Sequence, residues 1–130
     1  MMNPDIKNEW VTRLRSGEYK QGTGALNRGG SYCCLGVLCE IGVEKGILSK
    51  EYAGPGARYM DEYEFTALDN EYDASSELLP EAAREWAGLE DNNPDVSYLD
   101  YDDEVYYGLA EVNDNGLTFA EIADLIEDQL

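Results

Sequence analysis

The spacing of apolar residues predicts a mainly helical fold, with α+β as the alternative: a small domain of about four to five helices with a small β-hairpin in the middle. Three observations carry this expectation. Ile6, Trp10, Val11 and Leu14 recur on one helical face. Cys34, Val37, Leu38 and Ile41 do the same inside Ser31–Ile41, the most apolar stretch of the chain. Thr118 and Glu121 form a capping-box pattern just ahead of Phe119, Ile122, Ala123 and Ile126, another single face. With 130 residues, 43% of them apolar and 11% aromatic, the chain has the size and composition of one folded domain spanning 1–130.

The elements follow in order. The first helix runs from Asp5 to Arg15, and Ser16-Gly17 ends it because glycine tolerates the left-handed conformation past a helix. A glycine-bearing connection, Glu18 to Gly30, follows. For Ser31–Ile41 a buried helix capped by Ser31 is favoured over a central strand, with the stop between Gly42 and Gly46. Gly54-Pro55-Gly56 marks a turn, and Arg58–Phe65 spaces its aromatics as a strand of the small hairpin. Pro80 opens a short helix, Glu81–Ala87, which Gly88 closes, with Trp86 and Leu89 packing inward. The like charges of Asp91, Asp95, Asp100, Asp102, Asp103 and Glu104 predict an exposed, partly irregular stretch from 91 to 104. Val105–Val112 is expected to be a helix, Asn113–Gly116 a turn, and the stretch after Thr118 the last helix.

Charge is the dominant feature. Nine Lys and Arg stand against 28 Asp and Glu, a net charge of −19. Residues 1–50 carry seven basic and five acidic groups, whereas residues 51–130 carry Arg58 and Arg84 against 23 acids. The second part therefore repels nucleic-acid backbones and anionic membranes, and attracts basic protein surfaces. Solubility and halophilic adaptation are the bland explanations of the same imbalance. Direct nucleic-acid binding and membrane association are not expected.

The chain has no histidine, which removes the usual general base near neutral pH and the Ser-His and Cys-His forms of nucleophilic catalysis. Its three cysteines, Cys33, Cys34 and Cys39, lack the spacing and the fourth ligand of a zinc site, and read as small core side chains in a reducing cytoplasm. The start of the chain has no signal-peptide pattern, and no apolar run is long enough to span a bilayer.

Several motifs resemble sites without completing one. Asp91, Asn93, Asp95, Ser97 and Asp102 take positions one, three, five, seven and twelve of a calcium loop, but Val96 replaces the turn glycine and an Asp the closing Glu. Gly22-Thr23-Gly24 lacks the rest of a phosphate cradle. Carboxylate pairs are too abundant to single one out for acid/base work. The two C-terminal helices outline a helix-turn-helix, yet the second carries Glu121, Asp124, Glu127 and Asp128 and no basic residue. No catalytic residue, metal or cofactor is therefore assigned. The interaction candidate is the segment in which Tyr98, Tyr101, Tyr106 and Tyr107 alternate with Asp100, Asp102, Asp103 and Glu104. Tyrosine offers apolar area with a polar tip, and carboxylates complement Arg and Lys. A solvated loop anchored on core tyrosines is the competing explanation.

Trp10–Gly22, of the form W-V-x-x-L-R-S-G-x-Y-x-Q-G, and Tyr32–Cys39, Y-C-C-L-G-V-L-C, resemble the signatures of a small family often encoded by bacteriophages. Leu79-Pro80, Trp86–Leu89 and the stretch from Leu109 to Ile126 around Asn113–Phe119 continue the resemblance. It implies a small protein that meets a host component in the host cytoplasm, and it assigns no role to any single residue. Acidic phage proteins that imitate the charge of DNA are an analogy only. The leading expectation is a non-enzymatic inhibitor or modulator that binds a basic, nucleic-acid-binding surface of a host protein. The alternatives are a small enzyme or ligand-binding domain with a carboxylate-lined pocket, and a minor virion structural protein.

Overall fold

A computed structural model describes residues 2–52 and 62–130. The first helix, α1 (Pro4–Arg15), starts where Pro4 needs no donor and the Asn3 side chain accepts from the N–H groups of Asp5 (2.9 Å) and Ile6 (3.2 Å). Its Trp10, Val11 and Leu14 face inward, as their spacing predicts. The central helix, α2 (Cys34–Glu44), buries Cys34, Leu35, Gly36, Val37, Leu38, Cys39, Ile41 and Gly42, so it is covered on nearly every side. Gly36 is where another segment approaches: a Cβ there would sit 1.8 Å from the Leu26 carbonyl oxygen.

Ser31 does not cap α2. Ser31 and Tyr32 form a short strand, β3, paired with β1 (Lys20–Gln21) and β2 (Asn27–Arg28) in the order β1-β3-β2. The helix begins only at Cys34, and Cys33 at its cap makes no side-chain capping bond. A distant residue does that work: the Asn113 side chain accepts from the Cys34 N–H at 3.2 Å.

The middle of the chain holds a three-stranded antiparallel sheet, β4 (Leu48–Tyr52), β5 (Tyr63–Ala67) and β6 (Asn70–Ser75), in chain order. The expected turn at Gly54–Gly56 and the Arg58–Asp61 part of the expected strand lie outside the described residues. The short helix α3 (Glu81–Ala87) follows Pro80 and ends on Gly88 in the left-handed conformation, with Leu89 buried and Trp86 packed against the core. Asp73 secures its start, accepting from the N–H groups of Glu81 (2.7 Å) and Ala82 (2.8 Å).

Two expectations hold only in part. Within 91–104 only residues 91–94 lack regular structure outside the turn, and residues 105–108 belong to a strand, so the helix expected over 105–112 starts only at Leu109. Asp95–Asp100 (β7) and Asp103–Gly108 (β8) form an antiparallel hairpin, and α4 starts at Leu109 and ends at Asp114. The reason is a period of two: Val96 and Tyr98 share one face of the hairpin with Val105 and Tyr107. The carboxylates stay hydrated on the exposed positions, so their repulsion does not prevent pairing. The last helix, α5 (Phe119–Gln129), carries the full capping box of Thr118 and Glu121 and packs mainly on α1. The result is a small α+β domain with five helices among the described residues, whose buried apolar side chains form one cluster centred on α2.

Candidate functional site

The hairpin brings the predicted interaction residues together but gives them different roles. Tyr98 is half-buried against the core, and its ring lies 6.3 Å from that of Tyr107 on the inner face. Tyr98 anchors the hairpin, while Tyr107 stays 41% exposed beside it. Tyr101 and Tyr106 are 96% and 68% exposed, and Leu99, which the sequence did not single out, is 71% exposed. Asp100, Asp102, Asp103 and Glu104 all face solvent at the tip. Asp100 and Asp103 stand directly opposite each other, closing a loop of Tyr101 and Asp102. Tyr101 has φ +59°, the one non-glycine residue with positive φ among those described. A bulky side chain in that region is a genuine outlier, so the tip holds an aromatic outward against backbone strain.

Cations are spent elsewhere. Arg13 pairs with Glu9 (3.2 Å) and Glu44, Lys45 with Glu9 (3.7 Å), Lys50 with Glu40 (3.1 Å), and Arg84 with Glu81 and Glu85. Arg15 reaches Asp124 (2.6 Å) and Glu127 (3.1 Å) on α5. Among the described residues no ion pair reaches the four tip carboxylates. The acids of α5 are therefore partly neutralised, whereas those of the hairpin meet no cation among the described residues. The Tyr106 hydroxyl hydrogen-bonds Glu104, and that carboxylate holds the phenol pKa above its ordinary value.

The proposed calcium loop does not close. Asp95 and Ser97 lie along β7 while Asp102 sits at the far tip, and the Asn93 side chain is committed to Glu111 (2.8 Å) and the Ala110 N–H (2.9 Å). Among the described residues no group of three or more His, Cys, Asp or Glu is arranged to hold a metal ion.

The signature residues at the two ends of the chain meet in the interior. Asn113, 1% exposed, accepts from Gln21 Nε2 (3.0 Å) and Cys34 N–H and donates to the Gly22 carbonyl (2.7 Å). Gln21 also donates to the Leu117 carbonyl (2.8 Å) and accepts from the Phe119 N–H (3.1 Å). The Trp10 indole N–H donates to the Cys34 carbonyl at 2.9 Å. These residues form a polar knot tying α1, α2, α4 and α5 together, which makes the signatures architectural. The three thiols are buried and unpaired, and burial pushes the Cys33 pKa up to about 11 and those of Cys34 and Cys39 well above the ordinary value.

Two further features escaped the sequence. Lys50 is half-buried on β4, hydrogen-bonded to Tyr32 and Glu40 (both 3.1 Å), with its ammonium 4.7 Å from the Tyr63 ring centroid. Burial pulls its pKa down, but the two hydrogen bonds outweigh this and hold it above the usual lysine value. A cleft of about 490 Å³ is lined by Glu90, Asp91 and Asp95 together with Met2, Leu89 and Leu130. No helix among the described residues is long and apolar enough to cross a membrane.

No curated protein and no solved structure matches the chain. A family model covers residues 2–130, the stretch that contains both signatures and the knot they build. The chain belongs to that family, described as "Domain of unknown function (DUF8296)".

Proposed function

We propose that this domain is a phage-encoded, non-enzymatic modulator that occupies a basic, nucleic-acid-binding surface on a host protein through the tip of the β7–β8 hairpin. Carboxylates of Asp100, Asp102, Asp103 and Glu104 stand in for phosphates, and Tyr101, Tyr106 and Leu99 supply the apolar contact that a partner desolvates. The observation that carries the reading is the combination, at one projecting tip, of un-neutralised carboxylates with an outward tyrosine held at positive φ. Charge alone would not single out this place, since acids are spread over the whole second part of the chain.

The test is capture of host proteins by the intact domain, compared with a variant in which Asp100, Asp102, Asp103 and Glu104 become lysine. A control reverses the exposed Asp69 and Glu71. The expected partner is a cationic nucleic-acid-binding protein, released by tip reversal but not by the control. Its affinity should fall steeply between about 50 mM and about 500 mM salt. Retention by the tip-reversed variant, or equal affinity at both salt concentrations, refutes the proposal. A second reading, a domain that binds a small cationic ligand, is favoured by the carboxylate-lined cleft at Glu90, Asp91 and Asp95. Loss of ligand binding on neutralising those three acids, with the hairpin intact, would select it.

A further inference from the structure

We propose that the partner docks by adding a strand: an extended basic segment pairs with the open edge of β8, in register with Glu104 and Tyr106. This rests on the hairpin being the docking site, and it specifies the partner's conformation and chemistry.

The hydrogen-bond parity of the hairpin supplies the first argument. In an antiparallel pair, two opposed residues either exchange both backbone bonds or direct both groups away from each other. Ser97 uses both of its groups on α5: its N–H donates to Gln129 Oε1 (2.7 Å), and its carbonyl accepts from Gln129 Nε2 (2.6 Å). The pair Ser97↔Tyr106 is therefore a non-bonded one, and by alternation so is Leu99↔Glu104. The Leu109 N–H bond to the Pro94 carbonyl (2.9 Å), one step beyond the pair Asp95↔Gly108, fits the same phase. Hence the N–H and C=O groups of Glu104 and Tyr106 point outward from β8, away from β7.

The second argument is the asymmetry of the two edges. Gln129 takes the outward groups of Ser97 in the middle of β7, between Asp95 and Leu99, whereas the edge of β8 has no such side chain among the described residues and β8 is an outer strand of a two-stranded sheet. Among the described residues no side chain hydrogen-bonds the backbone of Glu104 or Tyr106. Two donors and two acceptors thus form a ready template for another strand.

Charge selects the occupant. Asp103 and Glu104 lie on this strand and Asp102 in the turn beside it, so a second copy of the chain would bring carboxylates against carboxylates. A segment carrying Arg or Lys at alternate positions meets opposite charge and the exposed ring of Tyr106 instead. The acidic edge thereby opposes self-association while remaining open to a cationic strand.

The probe is a short synthetic peptide alternating arginine and valine, set against a twin of the same sequence methylated at every backbone nitrogen. The twin keeps the charge and loses the donors. With the intact domain, the parent peptide is expected to slow hydrogen exchange of the Glu104 and Tyr106 amides about tenfold, and to bind about tenfold more tightly than the twin, the equivalent of one hydrogen bond. Glu104→Pro, which removes an outward N–H without breaking a ladder bond, should weaken binding more than Glu104→Gln does. Equal affinity for parent and twin, or unchanged exchange at both amides under saturating parent peptide, overturns strand addition. If tip charge reversal still abolishes binding in that case, the docking site stands and only its mode is wrong. If reversal has no effect either, the docking reading falls with it.

Discussion

Asn113→Ala tests whether the signature residues hold the fold together. The substitution removes a side chain that is 1% exposed and strands three partners. The Cys34 N–H is the most serious: it lies in the first turn of α2, has no acceptor within the helix, and belongs to a fully buried residue. Leaving such a donor unpaired costs about 1–3 kcal/mol. The Gly22 carbonyl is half-buried and can recruit water, and Gln21 keeps its bonds to Leu117 and Phe119, so these two losses add about 1 kcal/mol together. The expected destabilisation is about 2–4 kcal/mol, a large fraction of the roughly 5–15 kcal/mol typical of a folded domain. At this chain length that corresponds to a Tm lower by about 8–16 °C. Urea unfolding followed by far-UV circular dichroism, with calorimetry for Tm, measures it. A loss below about 1 kcal/mol would mean that the knot is incidental, and would refute the architectural account of the signatures.

Gly36→Ala should destabilise by about 1–3 kcal/mol although alanine is the better helix former, because the new methyl would overlap the Leu26 carbonyl; an unchanged melting temperature contradicts the close approach. Tyr101→Gly relieves a left-handed backbone conformation that costs a side-chain-bearing residue about 1–2 kcal/mol, less the 0.5–1 kcal/mol of glycine's greater unfolded freedom. The urea midpoint should therefore rise while partner binding weakens, and a lower midpoint would be evidence against strain at the tip. The three thiols should resist a disulfide reagent at about pH 8 in the folded state and all react in denaturant. Since folding raises their pKa values, Cys33 to about 11, the unfolded chain ionises first as pH rises. Stability is intact below about pH 8.5 and falls above it, by up to about 1.4 kcal/mol per pH unit for each thiol; a flat urea midpoint from about pH 8 to 10 would refute burial as the cause.

Helices α1, α3 and α5 were legible because their signals are local: an apolar face, Pro80 before and Gly88 after α3, and the Thr118–Glu121 box. The hairpin carried an equally local signal in Val96, Tyr98, Val105 and Tyr107, but a count of neighbouring acids hid it, because repulsion between hydrated side chains is weak beside backbone pairing and apolar burial. The tip residues were identified as a group, whereas Leu99 was missed because its exposure depends on which hairpin face packs inward.

Composition, charge asymmetry and periodicity by themselves determined that the chain folds as a small acidic domain with its negative charge concentrated after residue 50. Tertiary structure alone decided that Asn113, 79 residues away, caps α2 in place of Ser31, that Arg15 pairs with two acids of α5 and with none of the hairpin, and that Gln129 engages β7 at Ser97 while no described side chain engages the backbone of Glu104 or Tyr106 on β8. Those outcomes depend on which distant side chains chain closure brings within a few ångströms of one another, and local spacing carries no record of that.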